Sequence, residues 1–314
     1  MSNNTKKNWA DIEEVGVYWL IRFTLFLRII LGGIVFRAVL FPIVTYYFLF
    51  NKTARHASLD FLNHVHLFMP HSFIKPTLWY SFKHFMTFAQ SIVDKLTAWS
   101  GKLAIDDVEI HGREEFYKNI EGKRGALILG GHLGNTEVSR ALASMHRRAK
   151  LNILVHTKHA QNFNRLLNDI STENQMELIQ VSELSPALAI ILDQKISQGE
   201  FVFIVGDRIP VNNSGRTLAA TFLGAEAHFA QGPFILASLL KCPVYTLFCI
   251  KQNNKYHVYF DHFADQIKLP RGNREQALQQ FVNQFATRLE KYCLLAPLQW
   301  FNFYYYWQKP NNNG

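Results

Sequence analysis

Beyond Ala104 the chain alternates short β-branched and aromatic runs with stretches of helical period, and this alternation restricts the fold more than any other feature. The strand-like runs are Val108–His111, Ala126–Leu129, Leu151–Val155, Leu178–Val181, Phe201–Val205, Val244–Ile250 and Val258–Phe260. Between several of them lie helical patterns at Glu137–Arg147, Ala160–Ile170, Pro186–Ser197, Gly232–Leu240 and Arg274–Tyr292. Strands separated by helices pair most naturally in parallel, so the predicted class is α/β, with a mostly parallel central sheet flanked by helices. Groups that do chemistry in such sheets gather outside the carboxyl ends of the strands.

The first hundred residues read differently. Between Val17 and Gln90 there are 18 aromatic residues and 7 Lys or Arg, against the single acid Asp60. This predicts a basic, aromatic helical region over 1–100 that associates with membranes, and an α/β domain over 101–314, with the boundary near Gly101. Ile29 to Phe50 is long enough to span a bilayer, but Arg37 near its middle would cost about 2.5–3.5 kcal/mol on insertion. Arg22, Arg28 and Arg37 fall within half of a helical wheel, which suits a helix lying among lipid headgroups. A true span and a pair of core helices remain alternatives. A signal peptide is not expected, because the apolar run is too long, starts late and lacks a small-residue cleavage site.

Composition closes off other classes. A chain that is 48% hydrophobic and 18% charged buries enough apolar surface to fold. Cys242, Cys249 and Cys293 can form neither a disulfide framework nor a CxxC zinc site, which suits a reducing compartment. The net charge of +9 calls for anionic partners. Its basic residues are interleaved with apolar runs rather than set in a nucleic-acid-binding motif, so membrane lipids are expected and nucleic acid is not. An acidic protein partner would also be steered to such a surface. His64, His66, His71 and His84 lack the spacing and supporting acids of a metal site, and no metal is expected.

The most informative stretch runs Ala126-Leu-Ile-Leu-Gly-Gly-His-Leu-Gly-Asn-Thr-Glu137. A buried strand ends in two glycines and places His132 at its carboxyl end; Gly134 and Asn135 allow a tight turn, and a helix is expected from about Thr136. His132 and Glu137 would diverge by about 140° on one helix, but they can meet across a strand-to-helix turn. A carboxylate on one imidazole nitrogen leaves the other free to accept a proton, as a general base for an alcohol or amine requires. Asp207 and Arg208 follow the strand Phe201–Val205, so parallel pairing would bring them to the same edge. There they could orient a substrate or brace the loop carrying Arg216, whose guanidinium suits phosphate. Phe222 and its neighbours offer apolar surface for an acyl chain, or core packing.

Gly-Gly-His-Leu-Gly-Asn-Thr-Glu resembles the signature of the lysophospholipid acyltransferase superfamily, and within it the branch of lipid A late acyltransferases. Three further blocks follow in the same order: Phe203 to Arg208, Thr221 to Gly224 with Phe229 to Phe234, and Pro297-Leu-Gln-Trp300 before an aromatic ending. Two departures are Thr136, where that branch usually has Trp, and Arg208, where Gln or His is common. The resemblance implies transfer of a fatty acyl group from a thioester donor to a hydroxyl or amine of a lipid or glycolipid. His132 would be the base and Glu137 its support, with Gly134, Asn135, Asp207, Arg208, Arg216 and Phe222 around the substrates. It implies no cofactor, with acyl carrier protein as donor in preference to coenzyme A, at the cytoplasmic face of the inner membrane. A hydrolase on the same scaffold, or a non-catalytic lipid-binding protein, are the alternatives.

Overall fold

The computed structural model of the protein describes residues 38–99, 107–112, 114, 124–135, 150–155, 176–181, 185–209 and 217–307. The central sheet has seven strands: β1 Val108–His111, β2 Leu127–Gly130, β3 Leu151–Val155, β4 Met176–Gln180, β5 Phe201–Val205, β8 Val244–Gln252 and β9 Lys255–Ala264. Their order is β1-β9-β8-β2-β5-β3-β4. Every pairing is parallel except β8 with β9. That exception has a local cause: Asn253 and Asn254, at φ 50° and 64°, form a two-residue turn of the left-handed kind that matches strand twist. The turn lets β9 run from Lys255 to Ala264, well beyond the expected Val258–Phe260.

Strands β6 Thr217–Phe222 and β7 Ala225–Ala230 form a separate antiparallel hairpin, in a segment that showed only apolar character as sequence. Helices α4 Pro186–Ser197 and α5 Gly232–Leu240 occupy the expected positions, and α6 continues from Arg274 to Leu295. Serine caps the start of α4: Ser185 Oγ accepts from the Leu188 N–H at 3.2 Å, with Pro186 in the first turn where no N–H is needed. The expected helices Glu137–Arg147 and Ala160–Ile170 and the boundary at Gly101 lie outside the described residues.

Ahead of the sheet stand α1, described over 38–50, α2 Lys52–Phe68 and α3 Leu78–Trp99. Phe61, Leu62, Val65 and Ile74 from this helical region share one apolar cluster with β2, β5, β8, α5 and α6. The other face of the sheet packs Ala126, Ile128, Phe203, Tyr245 and Phe260 with Ala98. Residues on both sides of Gly101 are thus joined through common packing. Their meeting point is Trp300, fully buried, whose ring lies 5.0 Å from Phe61, 5.1 Å from Phe222 and 4.9 Å from Tyr306. Burying so large a side chain between three elements stabilises by roughly 3 kcal/mol or more. Among the described residues no helix is long and apolar enough to cross a membrane; Arg22, Arg28 and Arg37 lie outside them.

Candidate active site

β2 and β5 are central, fully covered strands, as near-continuous apolar runs should be in a parallel sheet. Their register pairs Gly130 with Val205. His132 and Asp207 therefore stand equally far beyond two adjacent strand ends. The Asp207 Oδ1 lies 2.8 Å from His132 Nδ1, and its Oδ2 accepts from the His132 backbone N–H at 2.7 Å. Trp300 Nε1 donates to the same Oδ2 at 3.1 Å. Gly131 makes room for this: a Cβ there would lie 3.0 Å from the carboxylate oxygen.

The electrostatics assign the protons. Burial alone would raise the Asp207 carboxyl, but the His132 ring and backbone N–H, with Arg208, outweigh it and hold the carboxyl below its ordinary value. An ionised carboxylate only accepts, so the imidazole proton sits on Nδ1 and Nε2 carries a free lone pair. Desolvation lowers the His132 pKa below its usual 6.5; Asp207 opposes this, while the Arg208 and Lys95 cations reinforce it. The ring is a neutral base at pH 7. With 28% of its side chain exposed, it remains open to a substrate.

The segment after His132 is held on both sides. Phe301 N–H donates to the His132 carbonyl at 2.8 Å, and Gly134 N–H to the Gln299 carbonyl at 2.8 Å. Asn135 N–H reaches the Cys249 carbonyl of β8 at 2.7 Å. Gly134 has φ 70°, and any Cβ would sit 1.8 Å from that carbonyl oxygen, so only glycine fits. Gln299 is fixed in turn by a two-way amide pairing with the Lys251 backbone, at 2.8 and 2.7 Å. The Pro297-Leu-Gln-Trp300 block is therefore the outer wall of the histidine loop and the third partner of Asp207.

A buried chain continues from Trp300 into the helical region. His84, fully buried on α3, lies with Nε2 2.9 Å from the Trp300 carbonyl and Nδ1 3.0 Å from Ser58 Oγ of α2, which also accepts from Ser81 at 2.9 Å. Burial lowers the His84 pKa to about 4, against the raising effect of the Trp300 carbonyl, so this ring is neutral and structural.

Of the residues expected at the site, His132, Asp207 and Arg208 come together. Arg208 lies 5.9 Å from the Tyr304 ring centroid, beside the pair. Gly134 and Asn135 serve the backbone: the Asn135 amide is buried and donates to the Ser91 carbonyl of α3 at 3.2 Å. Phe222 is wholly buried against Trp300, Phe229 and Tyr306, so it packs the core and offers no surface to an acyl chain. Glu137 and Arg216 lie outside the described residues. Sequence reasoning assigned Asp207 to substrate or loop, and it missed Lys95, Trp300 and His84 as participants. The equal offset of His132 and Asp207 from two strand ends was the signal for the first; Trp300 stood in a recognised block without its contact to Asp207 being foreseen, and the long-range contacts of Lys95 and His84 leave no local mark.

A neutral imidazole braced by a buried carboxylate at the tips of two parallel strands is an arrangement able to accept a proton from a bound group. A family model for bacterial lipid A biosynthesis acyltransferases matches residues 15–309, and the chain belongs to that family. The protein is an acyltransferase of lipid biosynthesis, with a lipid acceptor and an acyl donor as its substrates. A comparison with individually curated proteins finds no match.

Proposed function

We propose that the protein moves a fatty acyl group from a thioester donor to a hydroxyl or amine of a glycolipid, with His132 as general base and Asp207 as the carboxylate that orients it. His132 Nε2 takes the proton of the acceptor O–H or N–H as that atom bonds to the thioester carbonyl carbon. Collapse of the intermediate breaks the C–S bond, and the proton passes to the leaving thiolate. Asp207 stabilises the transient imidazolium without itself taking the proton. The observation that carries this reading is the Nδ1 contact to an ionised, buried carboxylate, which leaves Nε2 free.

Arg208 and Lys95 set positive potential beside the base. That favours anionic substrates, including the phosphopantetheine arm of acyl carrier protein, which we take as the donor in preference to coenzyme A. Glu137 belongs to this proposal through the family signature, as second support of the base, and Arg216 through the fit of its guanidinium to phosphate, as a phosphate contact.

The acceptor would be met at a bilayer surface. α1 exposes Phe41, Tyr46, Tyr47 and Phe50, the α2–α3 connection exposes Phe73, and the first turn of α3 exposes Trp79. Lys83 lies over the Trp79 and Tyr80 rings, 5.2 and 4.8 Å from their centroids. Aromatic rings beside cations suit the headgroup layer of an anionic membrane, and we place the protein peripherally at the cytoplasmic face of the inner membrane. The test incubates the full chain with acyl carrier protein thioester and a total lipid extract, followed by mass spectrometry. A lipid heavier by one acyl increment supports transfer; free fatty acid alone means that water is the acceptor and the enzyme is a hydrolase in that setting.

A further inference from the structure

β1 forms one edge of the large sheet, and its ladder with β9 sets Glu109 opposite His257 and His111 opposite Tyr259. Alternation along each strand puts these four side chains on one face of that edge. Three of them converge. His111 Nε2 lies 3.1 Å from His257 Nδ1, the Glu109 Oε1 lies 3.6 Å from His111 Nε2, and its Oε2 lies 3.7 Å from His257 Nδ1. The carboxylate is thus beyond hydrogen-bond distance of both nitrogens. Its separation matches a different arrangement: ligands at about 2.1 Å from a tetrahedral zinc ion stand about 3.4 Å from one another. The two Glu109 contacts, made by separate carboxylate oxygens, lie just above that figure, and the His111–His257 contact, a hydrogen bond while no ion is held, lies just below it.

The rings are held in place. His111 stacks on Tyr259 at 4.4 Å and 8°, and lies nearly parallel to His257 at 5.4 Å and 15°. Directly after it, Gly112 has φ 81°, and a Cβ there would meet the Phe260 carbonyl oxygen at 2.0 Å, so the backbone is pressed against β9. The His257 side chain is only 16% exposed, whereas His111 at 37% and Glu109 at 56% leave an entry path and room for water as a further ligand.

We propose that Glu109, His111 and His257 form a site for one divalent ion of the zinc class, which clips the edge strand β1 to β9. Two imidazoles and one carboxylate suit zinc among biologically common ions. The site uses neither β2 nor β5, so it stabilises the sheet edge and takes no part in the chemistry at His132.

Zinc titration into the chelator-stripped full chain, with calorimetry and thermal melting as readouts, tests this. One equivalent should bind and raise the melting temperature. Glu109→Gln should weaken binding by at least about tenfold, a loss that even an outer-shell partner of a metal can produce. In His111→Gln/His257→Gln both effects should vanish, while the exposed control His262→Gln binds as wild type. If the double variant does not fold, zinc anomalous diffraction from the wild-type protein decides, with a peak expected between Glu109, His111 and His257. No stoichiometric binding, binding that survives loss of both histidines, or a peak elsewhere overturns the proposal.

Discussion

His132 and Asp207 are 75 residues apart, yet separate oxygens of one carboxylate hold the histidine's ring at 2.8 Å and its backbone N–H at 2.7 Å. Ring tautomer and loop position are therefore fixed by the same group. Loss of that carboxylate should cost orientation, tautomer and imidazolium support together.

Asp207→Asn should accordingly lower kcat by about 10²–10⁴, the range seen when an orienting carboxylate or a general base is lost, with KM little changed. Steady-state rates on a carrier-protein thioester measure this. Glu137→Gln in the same assay separates the two acids: a smaller loss than in Asp207→Asn places Asp207 as the main partner of the base.

The pH profile of kcat/KM should report the lowered pKa of His132, with an acid limb whose midpoint lies below 6.5 and a plateau through neutrality. The base form is the active one, so activity falls as pH drops through that midpoint. Arg208→Ala removes a cation that lowers the imidazole pKa and should move the midpoint upward; Asp207→Asn removes an anion that raises it and should move the midpoint downward.

His84 predicts a separate acid sensitivity, in stability. Its folded pKa of about 4 lies below the unfolded 6.5, so the folded state resists protonation. The contribution is fully present above pH 6.5 and is lost as pH falls from 6.5 toward 4, by roughly 3 kcal/mol in all at about 1.4 kcal/mol per unit. Denaturant unfolding at pH 7 and pH 4 should therefore show the stability gap between wild type and His84→Gln narrowing by about that amount.

Gly131→Ala should act without unfolding the chain. The added Cβ crowds the Asp207 oxygen at 3.0 Å, which the carboxylate can relieve by a small shift away from His132. A displaced carboxylate should lower kcat while the melting temperature stays within a few degrees of wild type. Gly134→Ala is the contrast: the Cβ meets a backbone carbonyl at 1.8 Å and φ is positive, so the protein should lose stability outright.

Much of this architecture was legible because it is periodic. Val108–His111, Leu151–Val155 and Phe201–Val205 were read to the residue, since a buried strand is a compact apolar run with turn residues at its ends. The β6–β7 hairpin was not: its turn is Leu223-Gly224 with Leu in a left-handed conformation, which leaves a weak signal. His132 was legible from the glycines that flank it. Its contact with Asp207 was not, because the two become near only when β2 and β5 pair in register. Phe222 was ambiguous between pocket and core until the position of Trp300 was known. The ladder between β1 and β9 likewise joins Glu109 to His257 across a long stretch of chain, which no local spacing announces.

The central claim is proton abstraction by the imidazole of His132 during acyl transfer. Its most direct test is single-turnover transfer from acyl carrier protein thioester to the lipid acceptor by folded His132→Gln, compared with wild type. The predicted result is a rate lower by about 10²–10⁴ with thioester binding retained. Transfer within a few-fold of the wild-type rate would contradict it.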